Sequence, residues 1–186
     1  MGIDTDLLKL LSALVVAIFL AIPYWKGKYM TNSKQMNIYH NSSYIYSTTN
    51  IAQSAPIYVT GSSSATKDLN IYNNIFYNAS TSSTNKNYAI YLNYTQVNAL
   101  AATVKLNGNE YFTIGNSLGW FVAPRNTFGE WQSALADRGD DVNSVNLPLI
   151  FTSATDSLVP TIFEGLECTP VSGITPDICG RTRYNT

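Results

Sequence analysis

The sequence predicts a mainly β fold in which short strands stack as a solenoid. Three observations lead to this prediction. Only 12% of the 186 residues are charged, whereas 45% are hydrophobic and 12% aromatic, and a chain rich in Tyr, Thr, Ser and Asn favours strands joined by turns. Apolar and polar residues alternate roughly by two, as in Asn70–Tyr77. Segments of this kind recur at a fixed spacing, which is typical of repeat architectures.

The repeat is clearest in two pairs of segments that share one offset. Met36–Tyr46 aligns with Leu69–Ala79, and Pro56–Val59 aligns with Ala89–Leu92, both at 33 residues. A unit of two or three short strands cannot bury its apolar face alone, so we expect the copies to stack. Stacked short strands with turns at fixed positions make a β-solenoid.

A third, looser copy extends the repeat toward the C-terminus. Leu106–Asn109 aligns with Ile71–Asn74 at an offset of 35, and Trp120–Val122 takes the place of Ile90–Leu92 at an offset of 30. The repeats therefore define a middle region, residues 31–126, as the stacked rungs.

Asn recurs at one position of the repeat, as Asn41, Asn74 and Asn109. We expect these residues to lie in one column with a structural role. Asn tolerates the left-handed backbone conformation at a turn, and stacked side-chain amides can hydrogen-bond along a column, donor to acceptor.

Residues 1–30 are expected to form a separate apolar helix. Within it, residues 7–25 are apolar except for Lys9 and Ser12, and apolar side chains on all sides predict few contacts with the β-domain. The segment fits a signal peptide or a membrane anchor, and a buried core helix is the plain alternative. With Met1 removed, Asp6 and Pro23 occupy the positions of the acid and the kinking proline in type IV pilins, which the segment weakly resembles.

Residues 127–186 are expected to close the stack with a cap of helix and loop. Thr127 and Glu130 have the spacing of a capping box at a helix start. Three large apolar side chains share one face of this helix: Phe128, Trp131 and Leu135,. A solenoid needs such a closure because its end exposes apolar core and unpaired strand edges. Trp131 is therefore predicted to be a buried cap.

Several motifs follow one another in order along the chain. They are Asn73–Phe76, Trp131-Gln132, Gly139-Asp140 with Asn143-Ser144, Pro148 before Phe151, and Asp177, Gly180 and Arg181 or Arg183 near the end. In this order they resemble the C-terminal rungs of right-handed parallel β-helix repeat proteins, the pectate-lyase-like solenoids of bacterial surfaces. The resemblance implies a short right-handed parallel β-helix of about three rungs, secreted or on the cell surface.

Enzyme chemistry has little support in the sequence. The only His, His40, lies beside Asn41 and is expected to be a turn residue. Pectate-lyase-like enzymes need clustered acidic calcium ligands and a basic residue on one flank, and the few charges of the repeats do not recur at one position. We therefore predict no catalytic residue and no cofactor.

The net charge of −1 also excludes a basic nucleic-acid binder.

Acidic residues after the predicted helix offer oxygen ligands for Ca²⁺. They are Asp137, Asp140 and Asp141, with Asn143. Their spacing is not that of an EF-hand loop, so we predict a capped, solvated turn and no metal site.

Aromatic residues are the candidates for a binding surface. Aromatic rings stack on sugars, which makes Trp120, Tyr58 and Tyr91 candidates for glycan contact. The alternative is that Tyr58 and Tyr91 form a ladder that stabilises neighbouring strands.

Cys168 and Cys179 are candidates for a disulfide in an oxidising compartment, or for two buried free thiols.

The expected function is a non-enzymatic, secreted or surface-anchored module with a structural, adhesive or glycan-contacting role. Its expected partners are a surface polysaccharide or protein, a second copy of itself, and a membrane reached through the N-terminal helix. Two alternatives stay open. One is a subunit of an extracellular filament assembled through that helix. The other is the non-catalytic end of a polysaccharide-degrading β-helix enzyme.

Overall fold

The structure, a computed structural model, covers most of the chain between Trp25 and Leu166. It describes residues 25–31, 34–48, 52–60, 67–81, 86–93, 104–136, 140–153, 157–166 and 171–174. The chain divides into two compact units, one of them Pro23–Thr169 and the other Met1–Ile22 with Pro170–Thr186. The described part of the second unit is a turn closed by a 3.1 Å hydrogen bond from the Ile174 N–H to the Val171 carbonyl.

Some predictions fall outside the described residues. They are the apolar helix of residues 7–24, the Cys168–Cys179 pair, Asp137, Gly139, and the Asp177, Gly180 and Arg181 or Arg183 motif.

Parallel strands in three sheets form the larger unit. Sheet A contains β1 (Trp25–Thr31), β4 (Ser54–Thr60), β7 (Ile90–Asn93) and β10 (Gly119–Phe121), and the antiparallel β11 (Ala123–Arg125) extends it. Sheet B contains β2 (Lys34–Tyr39), β5 (Lys67–Tyr72) and β8 (Val104–Asn107). Sheet C contains β3 (Ser42–Ile45), β6 (Ile75–Asn78) and β9 (Glu110–Thr113). The helix α1 (Phe128–Leu135) and the antiparallel pair β12 (Phe151–Ser153) and β13 (Ser157–Pro160) follow.

From β1 to β10, each sheet takes every third strand, so consecutive strands lie in different sheets and each strand pairs with its copy in the next repeat. Ile38 pairs with Ile71 at an offset of 33 residues, and Phe76 pairs with Tyr111 at 35. The prediction of a mainly β fold with stacked, parallel copies is confirmed.

The register of the last repeat differs from the predicted one. Trp120 pairs with Tyr91, not with Ile90, so the offset is 29 and not 30. Successive side chains of a strand point to opposite faces, and a one-residue slip would therefore have moved Trp120 into the core. Ile90 and Tyr91 are both large hydrophobic residues, so the sequence did not distinguish between the two registers.

The outer regions also differ in extent from the expected ones. Strand β1 lies largely within residues 1–30, the range assigned to the apolar helix, because its backbone pairs with β4 from Trp25 to Thr31. The C-terminal region, expected as helix and loop, also contains β12 and β13. Phe151 of β12 packs edge-on against Tyr44 and Tyr77 of sheet C.

Two-residue corners join sheet B to sheet C in each repeat. The first corner residue has a left-handed backbone, with φ of 54° at His40, 58° at Asn73 and 62° at Gly108. The prediction placed this conformation on the Asn that follows, and that was wrong by one position. The Asn instead uses its side chain to hold the corner together, while the residue before it makes the bend.

Asn41, Asn74 and Asn109 lie in one column, at the positions that the repeat offset predicts. The Nδ2 of Asn41 donates to Oδ1 of Asn74, and the Nδ2 of Asn74 donates to Oδ1 of Asn109, both at 3.0 Å. Each Oδ1 also accepts the backbone N–H of the Asn in the preceding repeat. The column ends at Ser144, whose Oγ accepts the Asn109 N–H at 2.8 Å.

The apolar core is built by side chains from all three sheets. Its columns follow the repeat, as in Ile38, Ile71 and Leu106, all nearly fully buried. At the C-terminal end, Trp131 and Leu135 of α1 join the same core with no exposed surface. The predicted cap helix is thus present, with Thr127 as its N-cap and a 3.1 Å bond from the Glu130 N–H to the Thr127 hydroxyl.

Gly119 makes room for the Trp131 ring. A Cβ at this position would lie 2.9 Å from two carbons of the indole, which is closer than side-chain carbons approach one another. Strand β10 therefore carries Gly at the position where the Trp131 ring packs against it.

We predict that Asn74→Ala lowers the free energy of unfolding by about 3 kcal/mol, because it leaves several buried donors and acceptors unpaired at once. Asn70→Ala is the matched control, since Asn70 bonds Asn37 at the exposed outer face, and it should cost less than about 1 kcal/mol. Urea unfolding of both variants measures the difference. Equal losses would show that the column does not stabilise the fold.

Trp131→Ala should lower the free energy of unfolding by about 3–5 kcal/mol, the range for truncation of large buried aromatic residues. Thermal and denaturant unfolding followed by circular dichroism measure it. An unchanged melting temperature would contradict the assignment of Trp131 as a core cap.

Candidate functional site

The three glycan-contact candidates lie together on the outer face of sheet A. Tyr58, Tyr91 and Trp120 stack as one column, with ring centroids 4.4 Å apart for the first pair and 5.5 Å for the second. Tyr88 flanks Tyr91 and Trp120 at 5.4 and 6.2 Å. We call Tyr58, Tyr91 and Trp120 the sheet A column. The repeat places these residues one above another, because strand pairing puts equivalent positions side by side.

The stacking limits what the sheet A column can bind. Tyr58 and Trp120 cover the two faces of the Tyr91 ring, at interplanar angles of 6° and 12°. Tyr58 is itself buried, while Tyr91 and Trp120 are half-buried. A sugar ring therefore meets ring edges and phenol hydroxyls in this column, and hydroxyls are both donors and acceptors for sugar hydroxyls.

A second aromatic column lies on the outer face of sheet C, and it was not predicted. Tyr44, Tyr77 and Phe112 stack at 5.4 and 4.5 Å. Phe151 packs at nearly right angles to Tyr44 and Tyr77. The offsets of 33 and 35 between these positions were available in the sequence. The position of Phe151 was not, since β12 reaches the column only through the tertiary fold.

Asp141 is a hydrogen-bond centre under the cap. Its carboxyl group accepts from the Trp131 indole N–H at 2.8 Å, from the Tyr111 hydroxyl at 3.1 and 3.2 Å, and from the Ser144 hydroxyl. Burial raises the pKa of Asp141, and the hydrogen bonds from Ser144, Trp131 and Tyr111 oppose that rise. The predicted solvated turn is wrong for this residue, which has no exposed surface. Hydrogen bonds from the two aromatic donors, Trp131 and Tyr111, compensate for burial of this carboxyl group,.

Glu110 is a buried acid that was not among the predicted site residues. It begins β9 at 2% exposure. Its Oε1 accepts the Leu147 N–H at 3.2 Å, and its Oε2 has no hydrogen-bond partner among the described residues. Burial raises the pKa of Glu110 to about 8, although the Leu147 N–H acts in the opposite direction. No sequence signal marked it, because neither Ile75 nor Ser42 at the same position is acidic.

Glu110 borders a cleft of about 160 Å³ at the corners between sheets B and C. Residues of these corners, of β6 and β9, and of two later segments of the chain line it. The lining residues are Asn73, Asn74, Ile75, Gly108, Glu110, Asn143, Val145, Pro160, Phe163, Gly165 and Leu166. The cleft thus combines apolar walls, Asn side chains and one carboxyl group.

No group of three His, Cys, Asp or Glu that could hold a metal ion occurs among the residues that the structure describes. Within that same part of the chain, no helix has both the length and the hydropathy needed to cross a membrane.

Comparison with known proteins finds no match for this chain. No protein-family model matches the chain, no curated protein matches it, and no solved structure matches it.

We predict that Glu110→Gln stabilises the protein at pH 8 but not below pH 4.5. Because the pKa of Glu110 is raised to about 8 in the fold, the unfolded chain releases a proton that the folded chain keeps. The free energy of unfolding of the parent therefore falls as the pH rises from 4.5 to about 8. The slope is about 1.4 kcal/mol per pH unit at most. Gln removes this dependence.

Urea unfolding at several pH values measures the effect. Glu164→Gln, at an exposed carboxylate, controls for the loss of one negative charge. A parent and a Glu110→Gln variant whose stabilities run in parallel with pH would contradict the prediction.

Proposed function

We propose that this chain is a non-enzymatic, secreted or surface-anchored module with a structural or adhesive role. In this proposal it is a short right-handed parallel β-helix of about three rungs, closed at its C-terminal end by α1 and contacting glycans through the sheet A column. A rigid stack of this kind presents an extended flank of recurring side chains, which suits contact with a polymer.

The strand order supports the β-helix. Sheets A, B and C each take one strand from every repeat, and all neighbouring copies are parallel. One buried column of Asn and one apolar core run through the repeats, which supports coiling of the chain around a common axis.

The sheet A column is the observation that carries the glycan role. It places three aromatic residues, Tyr58, Tyr91 and Trp120, in one line across successive copies. Many polysaccharides are extended polymers with repeated hydroxyls, and half-buried aromatic edges with phenol hydroxyls offer both apolar and hydrogen-bonding contact.

Binding of the full chain to an array of polysaccharides tests the proposal. Trp120→Ala and Tyr91→Phe should weaken binding to the glycans that the parent retains, the first by loss of ring area and the second by loss of one hydroxyl. We expect reductions of about five- to tenfold, equivalent to the net contribution of one hydrogen bond or one aromatic contact.

Tyr77→Phe is the matched control, because Tyr77 stacks in the sheet C column against Phe151. It should leave glycan binding unchanged. Equal losses for Tyr77→Phe and Tyr91→Phe, or no retained glycan at all, would reject the sheet A column as the contact surface. Release of shortened or unsaturated sugars during the assay would instead favour the polysaccharide-degrading class.

A further inference from the structure

The cleft beside Glu110 has the size of a single small organic group. Its volume of about 160 Å³ is close to that of an engineered protein cavity of about 150 Å³ that binds benzene. A short alkyl chain or one six-membered ring therefore fits, whereas a longer glycan does not.

The chemistry of the cleft is apolar along its walls and acidic at one point. The apolar lining residues are Ile75, Val145, Pro160, Phe163 and Leu166. Among the lining residues that the structure describes there is no Lys or Arg. Glu110 is thus a buried acid with one partner on Oε1 and none described on Oε2.

An unpaired buried carboxyl group costs free energy, because burial removes water without a replacement partner. A cation compensates this cost better than a neutral donor does, since opposite charges attract more strongly away from water. The apolar walls in turn favour an alkyl chain behind the cation, as in a side chain whose stem contacts apolar surface.

Exposed apolar residues occur in a segment that lines part of the cleft. Ile162 and Phe163 are 63% and 61% exposed, although both are large and apolar. They lie in the segment that supplies one wall, next to Glu164 and Leu166. Exposed apolar residues beside a pocket are typical of a surface that a ligand or a partner covers.

We propose that this cleft binds a primary ammonium group on an alkyl chain, with the chain along Ile75, Val145 and Phe163 and the ammonium against Oε2 of Glu110. A lysine side chain of a partner protein has this chemistry, and so does a free alkylamine. Oε2 is itself buried, so contact with the ammonium requires a rotation of the carboxyl group about its soft terminal torsion. The proposal does not depend on the glycan role of sheet A.

Proton release gives the proposal a specific signature. Since burial raises the pKa of Glu110 to about 8, the free carboxyl is largely protonated at neutral pH, and pairing with an ammonium displaces that proton. The other titratable groups on the elements around Glu110 are Tyr77, Tyr111, Asp140, Asp141 and Glu164.

Isothermal titration of the full chain with n-butylammonium chloride near neutral pH tests the proposal, in two buffers of different ionisation enthalpy. We expect saturable binding with release of a proton. n-Butanol, which has the same alkyl chain and no charge, should bind at least about tenfold more weakly, as should n-butylammonium to Glu110→Gln. Glu164→Gln is the matched control and should bind like the parent.

A folding control and a comparison of two amines complete the test. Circular dichroism establishes that Glu110→Gln is folded, and Phe163→Ala, at an exposed position, should weaken binding of n-butylammonium several-fold without loss of structure. Tighter binding of Nα-acetyl-lysine methylamide than of n-butylammonium assigns the site to a protein lysine, and the reverse order assigns it to a free amine.

Three results would overturn the proposal. They are equal binding of n-butanol and n-butylammonium, binding retained in Glu110→Gln, and the absence of saturable binding for both amines.

Discussion

The buried column of Asn side chains at the corner between sheets B and C is the interaction on which the rest of this fold depends. At each corner the chain turns sharply and leaves backbone groups that the sheets cannot pair. The amide of Asn74 supplies the missing partners, donating to the Tyr72 and Ile38 carbonyls and accepting from Asn41. A buried amide with both donors and acceptor in use stabilises a structure, whereas an unpaired one destabilises it. The column therefore sets the corner of every repeat, and with it the register of sheets B and C.

The same principle governs the C-terminal end, where the column gives way to Ser144 and Asp141. Asp141 joins the last repeat to the cap, because its carboxyl group accepts from Tyr111 of β9 and from Trp131 of α1. The edge of sheet C does not end unpaired either, since the Tyr111 N–H donates to the Val145 carbonyl at 3.0 Å and the Val145 N–H to the Asn109 carbonyl at 2.9 Å. At this end of the sheets, apolar burial by Trp131 is thus combined with paired polar groups, as a strand edge requires.

The surfaces available for binding differ in how they arise. The aromatic columns follow from the repeat itself, and their rings stabilise one another before they contact any partner. Glu110 has the opposite character, because its carboxyl group accepts one described hydrogen bond at 3.2 Å and burial raises its pKa. A group that costs stability and lies at a cleft is more informative about function than one that is fully satisfied. The two proposals therefore concern separate faces of the molecule and separate chemistry.

The amino-acid order alone decided whatever recurs along the chain. The offset of 33 residues predicted the pairing of Ile38 with Ile71, the Asn column and the stacking of Tyr58 on Tyr91, because parallel strands bring equivalent positions together. The helix start at Thr127 was equally local, since a capping box needs four residues. Features that occur once were beyond this logic. The register of Trp120, the burial of Asp141 and the cleft at Glu110 depend on which distant segments meet. Residues 143–145 and 160–166 reach Glu110 only through the tertiary structure, because burial and desolvation are properties of surroundings that no spacing in the sequence records,.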